Sequence, residues 1–147
     1  MSQIIIRVAG LVVDKDKILF VEHTNKGKSH WILPGGGLEF GETFQEGVRR
    51  EVKEETGIDV EVKKLVYVDQ LVTDKNHMIF LTYLCHPTSD RLIVGHDPDH
   101  KEQVITNTAY LSLDQVEEAD NISPPWMSKK LPKDIREGFP EEVEIDE

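Results

Sequence analysis

The stretch TFQEGVRREVKEETG, Thr43 to Gly57, decides how the rest of this chain is read. Thr43 followed three places later by Glu46 is a capping-box signature. Gly57 is a natural stop, so the spacing predicts a helix over Thr43–Thr56. At about 100° per residue, Phe44, Val48 and Val52 form an apolar stripe, while Gln45, Arg49 and Lys53 fall on the far side beside Glu46. The remaining acids do not keep to that far side. Glu51 lies at the edge of the stripe, Glu54 a little further round on its flank, and Glu55 inside it, angularly between Phe44 and Val48. Like charges one turn apart cost roughly 0.2–0.5 kcal/mol per pair, and a carboxylate turned toward the core must be paired or bound to metal. Helix geometry alone leaves an ion pair and a metal site equally open.

Just before the helix runs PGGGLEFGE, Pro34 to Glu42, read as a glycine-rich loop. Glycines let a backbone approach a ligand closely. No Gly-Lys-Ser/Thr follows, so this is not a Walker loop, and Phe40 stands where a dinucleotide fingerprint needs its third glycine. The loop carries Glu39 and Glu42 and feeds directly into the acidic helix, which shifts the balance toward metal.

Around this centre the pattern alternates between strands and turns. QIIIRVAGLVV is rich in β-branched residues and reads as a largely buried strand. DKDK (Asp14 to Lys17) is a polar turn to a second strand, ILFVEH, so the two predict a hairpin. IDVEVKKLVYVDQLV, HMIFLTYLCH and QVITNTAYLSL are further strands. Ser112 caps a short helix, LDQVEEA, and PKDIREGF is one more, after Pro124 and Pro125 break the chain. VGHDPDHKE is an acidic loop, and the tail EEVEIDE, from about residue 140, is expected to be mobile. The sum is a mixed α+β domain over residues 1–147, with one long central helix after a glycine loop.

Bulk properties narrow the class. A formal net charge of -11 disfavours nucleic acid bound through its phosphates alone, yet permits a phosphate substrate that arrives with a divalent metal. The single cysteine, Cys85, excludes an intramolecular disulfide and suits a reducing, cytoplasmic setting. No apolar run is long enough to span a bilayer. Arg7 interrupts the apolar N-terminal stretch, and no signal-type cleavage site follows.

Gly36, five residues, Glu42, seven residues, then Arg50-Glu51-Val52-Lys53-Glu54-Glu55-Thr56-Gly57-Ile58 resembles the Nudix box, with every defined position filled. The resemblance implies an α/β/α sandwich that cleaves a nucleoside diphosphate linked to another moiety, with Mg²⁺ or Mn²⁺. It implies that Glu54 and Glu55 are metal ligands, that Glu51 is a further ligand or the base, and that the carbonyl of Gly35 is another oxygen donor. Arg50 would orient the glutamates, Glu42 would support it, and Gly57 would end the helix. A second carboxylate from beyond the box is also implied, and Glu102 is the candidate. An all-oxygen set suits a hard cation.

Other signals carry less. Pro98 breaks any helix in HDPDH, Trp126 could stack on a base, Trp31 reads as packing, and Cys85 reads as core. The leading function is therefore a metal-dependent pyrophosphohydrolase acting on a small nucleotide, with homodimers common among similar proteins. The alternative is a nucleotide-binding sensor that does not cleave. The substrate stays open between nucleoside triphosphates, ADP-ribose-like compounds and dinucleoside polyphosphates.

Overall fold

In the computed structural model, which describes residues 3–96 and 104–146, Lys15 and Asp16 both take positive φ, 49° and 61°. That is the backbone of a tight hairpin turn whose twist matches its strands. It folds β1 (Ile4–Asp14) back onto β2 (Lys17–Asn25). β3 (Lys28–Ile32) returns along β2, and β4 (Gly35–Gly37) lies antiparallel to β1. Helix α1 (Phe44–Thr56) leads to the long antiparallel pair β5 (Val60–Val72) and β6 (His77–Pro87). β7 (Val104–Ser112) covers β2, α2 (Leu113–Glu118) and α3 (Met127–Glu137) follow, and β8 (Glu144–Asp146) closes the order. β1 runs parallel to β6, and β8 parallel to β5. The sheet is mixed, and its path is β3-β2-β1-β6-β5-β8.

Period-two alternation sorts β1 between two cores. Val8 and Val12 pack with Val48 and Val52 of α1, together with Leu19, Tyr83 and Cys85. Leu11, with Ala9 and Val13 beside it, packs on the opposite face with Val116 of α2 and Met127 and Leu131 of α3. The architecture is thus α/β/α, as the box implied. Burial pushes the Cys85 thiol up to about 12, so it stays protonated and acts as core. Among the described residues, no helix is long and apolar enough to cross a membrane.

Three features differ from the sequence reading. The glycines are not a loop: Gly35–Gly37 is a strand, in register with Ala9, Val8 and Arg7. Glycine disfavours strands in general, but here the partner strand leaves no room for a side chain at Gly35, and the helix none at Gly36. α3 begins at Met127, five residues before the expected Pro132, because Met127 and Leu131 are buried against the sheet. The tail contributes β8, which pairs with Tyr67–Asp69.

Gly10 sets the approach of α1 to β1. A Cβ there would stand 2.8 Å from Val52 Cγ2 and 3.4 Å from Val48 Cγ1. Gly10→Ala should therefore destabilise the fold by about 1–3 kcal/mol, the ordinary cost of overpacking. The check is a urea titration, in which the midpoint should drop while the slope is kept.

Candidate functional site

Helix α1 is placed by its ends. Thr43 Oγ1 accepts from the Glu46 amide at 3.2 Å, which satisfies one of the orphan donors of the first turn. Gly57, at φ 80°, donates its amide to the Lys53 carbonyl at 2.9 Å. The last turn is further capped from a distant segment: Ile93 N–H donates to Thr56 O at 2.8 Å, and Gly95 N–H to Glu55 O at 2.9 Å. With both ends fixed, the acids have fixed directions. Glu51 and Glu55 are buried, at 1% and 0% exposure, whereas the Glu54 side chain keeps 30%.

Each buried acid meets the glycine strand. The Glu55 Oε1 accepts from the Gly35 amide at 2.9 Å. The Glu51 carboxylate lies where a side chain on Gly36 would go, since a Cβ there would be 2.6 Å from its carboxyl atoms. Gly36 therefore forms a cradle that only glycine leaves open.

Arg50 ties the acids together. Its Nε and Nη2 donate to Glu42 at 2.7 and 2.9 Å, the paired geometry that a guanidinium makes best. Nη1 donates to Glu51 at 2.8 Å and to Glu54 at 3.4 Å, and Nη2 also reaches Gly37 O at 3.0 Å. Glu39 stands at 3.7 Å. Hydrogen bonding to Arg50 holds the Glu42 carboxyl below the usual glutamate range, and the same bonds raise Arg50.

The site therefore gathers Gly35, Gly36, Glu42, Arg50, Glu51, Glu54 and Glu55, with Gly57 as the helix stop. Glu102 and the histidine-aspartate loop from residue 97 lie outside the described residues. Among the described residues, no three His, Cys, Asp or Glu side chains stand together as a ready-made metal cluster; Glu51 and Glu54 are both drawn to the Arg50 guanidinium. The donors are all oxygens and the Gly36 cradle leaves them room, so the set fits a hard divalent cation in its chemistry.

Sequence reasoning missed what lies across β4. A cavity of about 380 Å³ has Gly35 and Gly36 at its rim and Arg7, Phe80 and Asp69 in its floor. The only signal was that Arg7 interrupts an otherwise apolar stretch of β1. Trp126 does not line this cavity; it packs edge-on against Tyr67, with ring centroids 5.3 Å apart.

A model of the NUDIX domain matches residues 4–131. An ADP-ribose pyrophosphatase of Methanocaldococcus jannaschii is 35% identical over 100 residues, 66% of this chain and 59% of that protein. A MutT-like protein of Streptomyces ambofaciens is 38% identical over 114 residues, 77% of this chain and 67% of its own length. The crystal structure of a NUDIX hydrolase from Nitrosomonas europaea superposes with a TM-score of 0.79 over 96% of this chain and 76% of that one. At 18% identity, that last likeness speaks for the fold alone.

The ion pair at Glu42 has a pH signature. Its carboxyl is depressed in the fold, so its contribution is present above the unfolded value, about 4.3, and is lost as pH falls through the lower folded value. Glu42→Gln should flatten the acid limb of a stability-against-pH curve measured by denaturant titration.

Proposed function

This chain belongs to the NUDIX family of hydrolases, and we propose that it is a divalent-metal-dependent pyrophosphohydrolase acting on a nucleoside diphosphate linked to another group. One observation carries the reading: buried carboxylates meet a side-chain-free strand edge, and a nucleoside-sized cavity opens on the other side of that edge. Pockets for small ligands begin at about 300 Å³. A ligand with its nucleoside in the cavity would lead its phosphates past the glycines toward α1.

In this proposal Glu51, Glu54 and Glu55, with the Gly35 carbonyl, would hold Mg²⁺ or Mn²⁺. When bound, the ion supplies charge neutralisation at the phosphate oxygens and a more acidic water. The chain's own residues do the rest. Arg50, anchored bidentately on Glu42, keeps Glu51 and Glu54 directed at the reacting group. Glu54, the acid of the three that reaches solvent, would give the ion less than a full share of its carboxylate and take the proton of the attacking water on its remaining oxygen. Water oxygen bonds to phosphorus, the anhydride P–O bond breaks, and a nucleoside monophosphate leaves together with the phosphorylated remainder. Glu102 is a further carboxylate proposed for this centre.

The M. jannaschii relative's name points to ADP-ribose, and the S. ambofaciens relative's name to a MutT-like role. Nucleoside triphosphates and ADP-ribose-like compounds are therefore the substrates to screen first. With Mg²⁺ and a nucleotide panel, the wild type should release a nucleoside monophosphate, detected by chromatography. Glu54→Gln should cut turnover by about 10²–10⁴-fold, the range for loss of a positioned base. Glu55→Gln should do so while remaining folded, because a glutamine oxygen can still accept from the Gly35 amide. Binding of a nucleotide without any turnover in the wild type would instead establish a sensor.

A further inference from the structure

Arg7, Phe80 and Asp69 form one row across three strands. Arg7 of β1 is the register partner of Phe80 of β6, and Phe80 that of Asp69 of β5. Residues opposite one another in a ladder share a face. This is the face of Ala9, Leu84 and Tyr67, which pack on the α2–α3 side. The row is thus the cavity floor, with Phe80 in the middle. Arg7 and Asp69 stand two inter-strand spacings apart, about 10 Å between backbones. The facing wall is built by Ile32, Leu33, Pro124 and Met127. It is fixed in place by backbone hydrogen bonds from Trp31 N–H to Asn121 O and from Ser123 N–H to Trp31 O, both 2.9 Å.

We infer that this row reads the base of the substrate and selects guanine. The assignment rests on the reading that the cavity takes the nucleoside. A planar heterocycle entering between the apolar wall and the sheet stacks on Phe80. Its edges then meet a guanidinium with five donors and no acceptor, and a carboxylate that only accepts, each with hydrogen-bonding capacity beyond the contact it already makes in the fold. Guanine matches that order. O6 and N7 are acceptors, and arginine takes the pair bidentately. The neighbouring edge carries N1–H and the 2-amino group, two adjacent donors for Asp69. Adenine has one amino group flanked by the lone pairs of N1 and N7, so an acceptor is brought against the carboxylate. Cytosine has a single ring, too narrow to span both charged residues.

The test is equilibrium binding of GMP, AMP and CMP by calorimetry, with Mg²⁺ present, to the wild type, Asp69→Asn and Phe80→Leu. The wild type should bind GMP about tenfold or more tighter than AMP or CMP. Asp69→Asn should remove at least about fivefold of that preference, the lower end of one bidentate pair. Phe80→Leu should weaken GMP and AMP alike, which separates stacking from edge reading. A wild type with no preference for GMP, a preference that survives Asp69→Asn, or no binding of any of the three overturns the inference. Binding needs no turnover, so the two readings fail separately. A protein that cleaves nucleotides without discriminating loses only the base reading, and one that selects GMP but cleaves nothing loses only the hydrolase reading.

Discussion

The Arg50 guanidinium is the contact on which the site depends. One cation serves Glu42, Glu51 and Glu54 and the carbonyl of Gly37, so the loop before α1, the helix and the glycine strand are locked to one planar group. A planar fork suits this task better than an ammonium, because it imposes directions as well as charge. Bringing carboxylates to the edge of a core is costly unless their charge is met there. Arg50 meets part of it and fixes where the carboxylates point, which is the precondition for any ligand to find them preorganised. Among the described residues, Arg50 is a cation in contact with Glu42, Glu51 and Glu54 alike, and this excess of carboxylate over guanidinium is the electrostatic ground on which a divalent cation is proposed.

The glycine strand is the second half of the same constraint. β4 has the acids of α1 against one side and the cavity at the other. Two of its three glycines are accounted for by what a side chain would strike: Glu51 at Gly36, and Ala9 at Gly35. A run that reads as a flexible loop is therefore one of the most confined pieces of backbone in the chain. Confinement and permissiveness coincide because the missing Cβ is what lets helix and partner strand approach so closely.

What could be read from the sequence follows the range of the interactions involved. The helix was legible with its cap, its stop and its inward-turned Glu55, because all of these are set within one or two turns. The β1–β2 hairpin was legible from a polar turn between two apolar runs. The Ser112 cap of α2 was legible too, and the structure adds the reciprocal bond from the Ser112 amide to Gln115. The glycine strand was not, since pairing with β1 is a tertiary fact that no propensity reports. The start of α3 was not either: burial of Met127 carried the helix back across a sequence whose Pro132 suggested a later beginning. Arg7, Phe80 and Asp69 lie far apart in the chain and meet only through the registers of β1, β6 and β5. A one-residue slip in either pairing would turn a member of the row to the other face.

That difference in range divides the labour of the molecule. Among the described residues, the charged centre is compact in sequence, lying between Gly35 and Gly57. The cavity floor is assembled from strands whose opposite faces pack on α1 through Val8, Leu81 and Tyr83. Exchanging a floor side chain therefore changes the lining of the cavity while the contacts that seat α1, on the other side of the same backbone, stay as they are. The segment Ile93–Gly95, bonded to the last carbonyls of α1, is the exception. It joins the end of the acidic helix to the chain that continues toward β7, where Thr108 Oγ1 donates back to Ile93 O at 2.7 Å. Substitutions there would be felt at the helix end and in β7 together, whereas those in the floor would be felt in the cavity first.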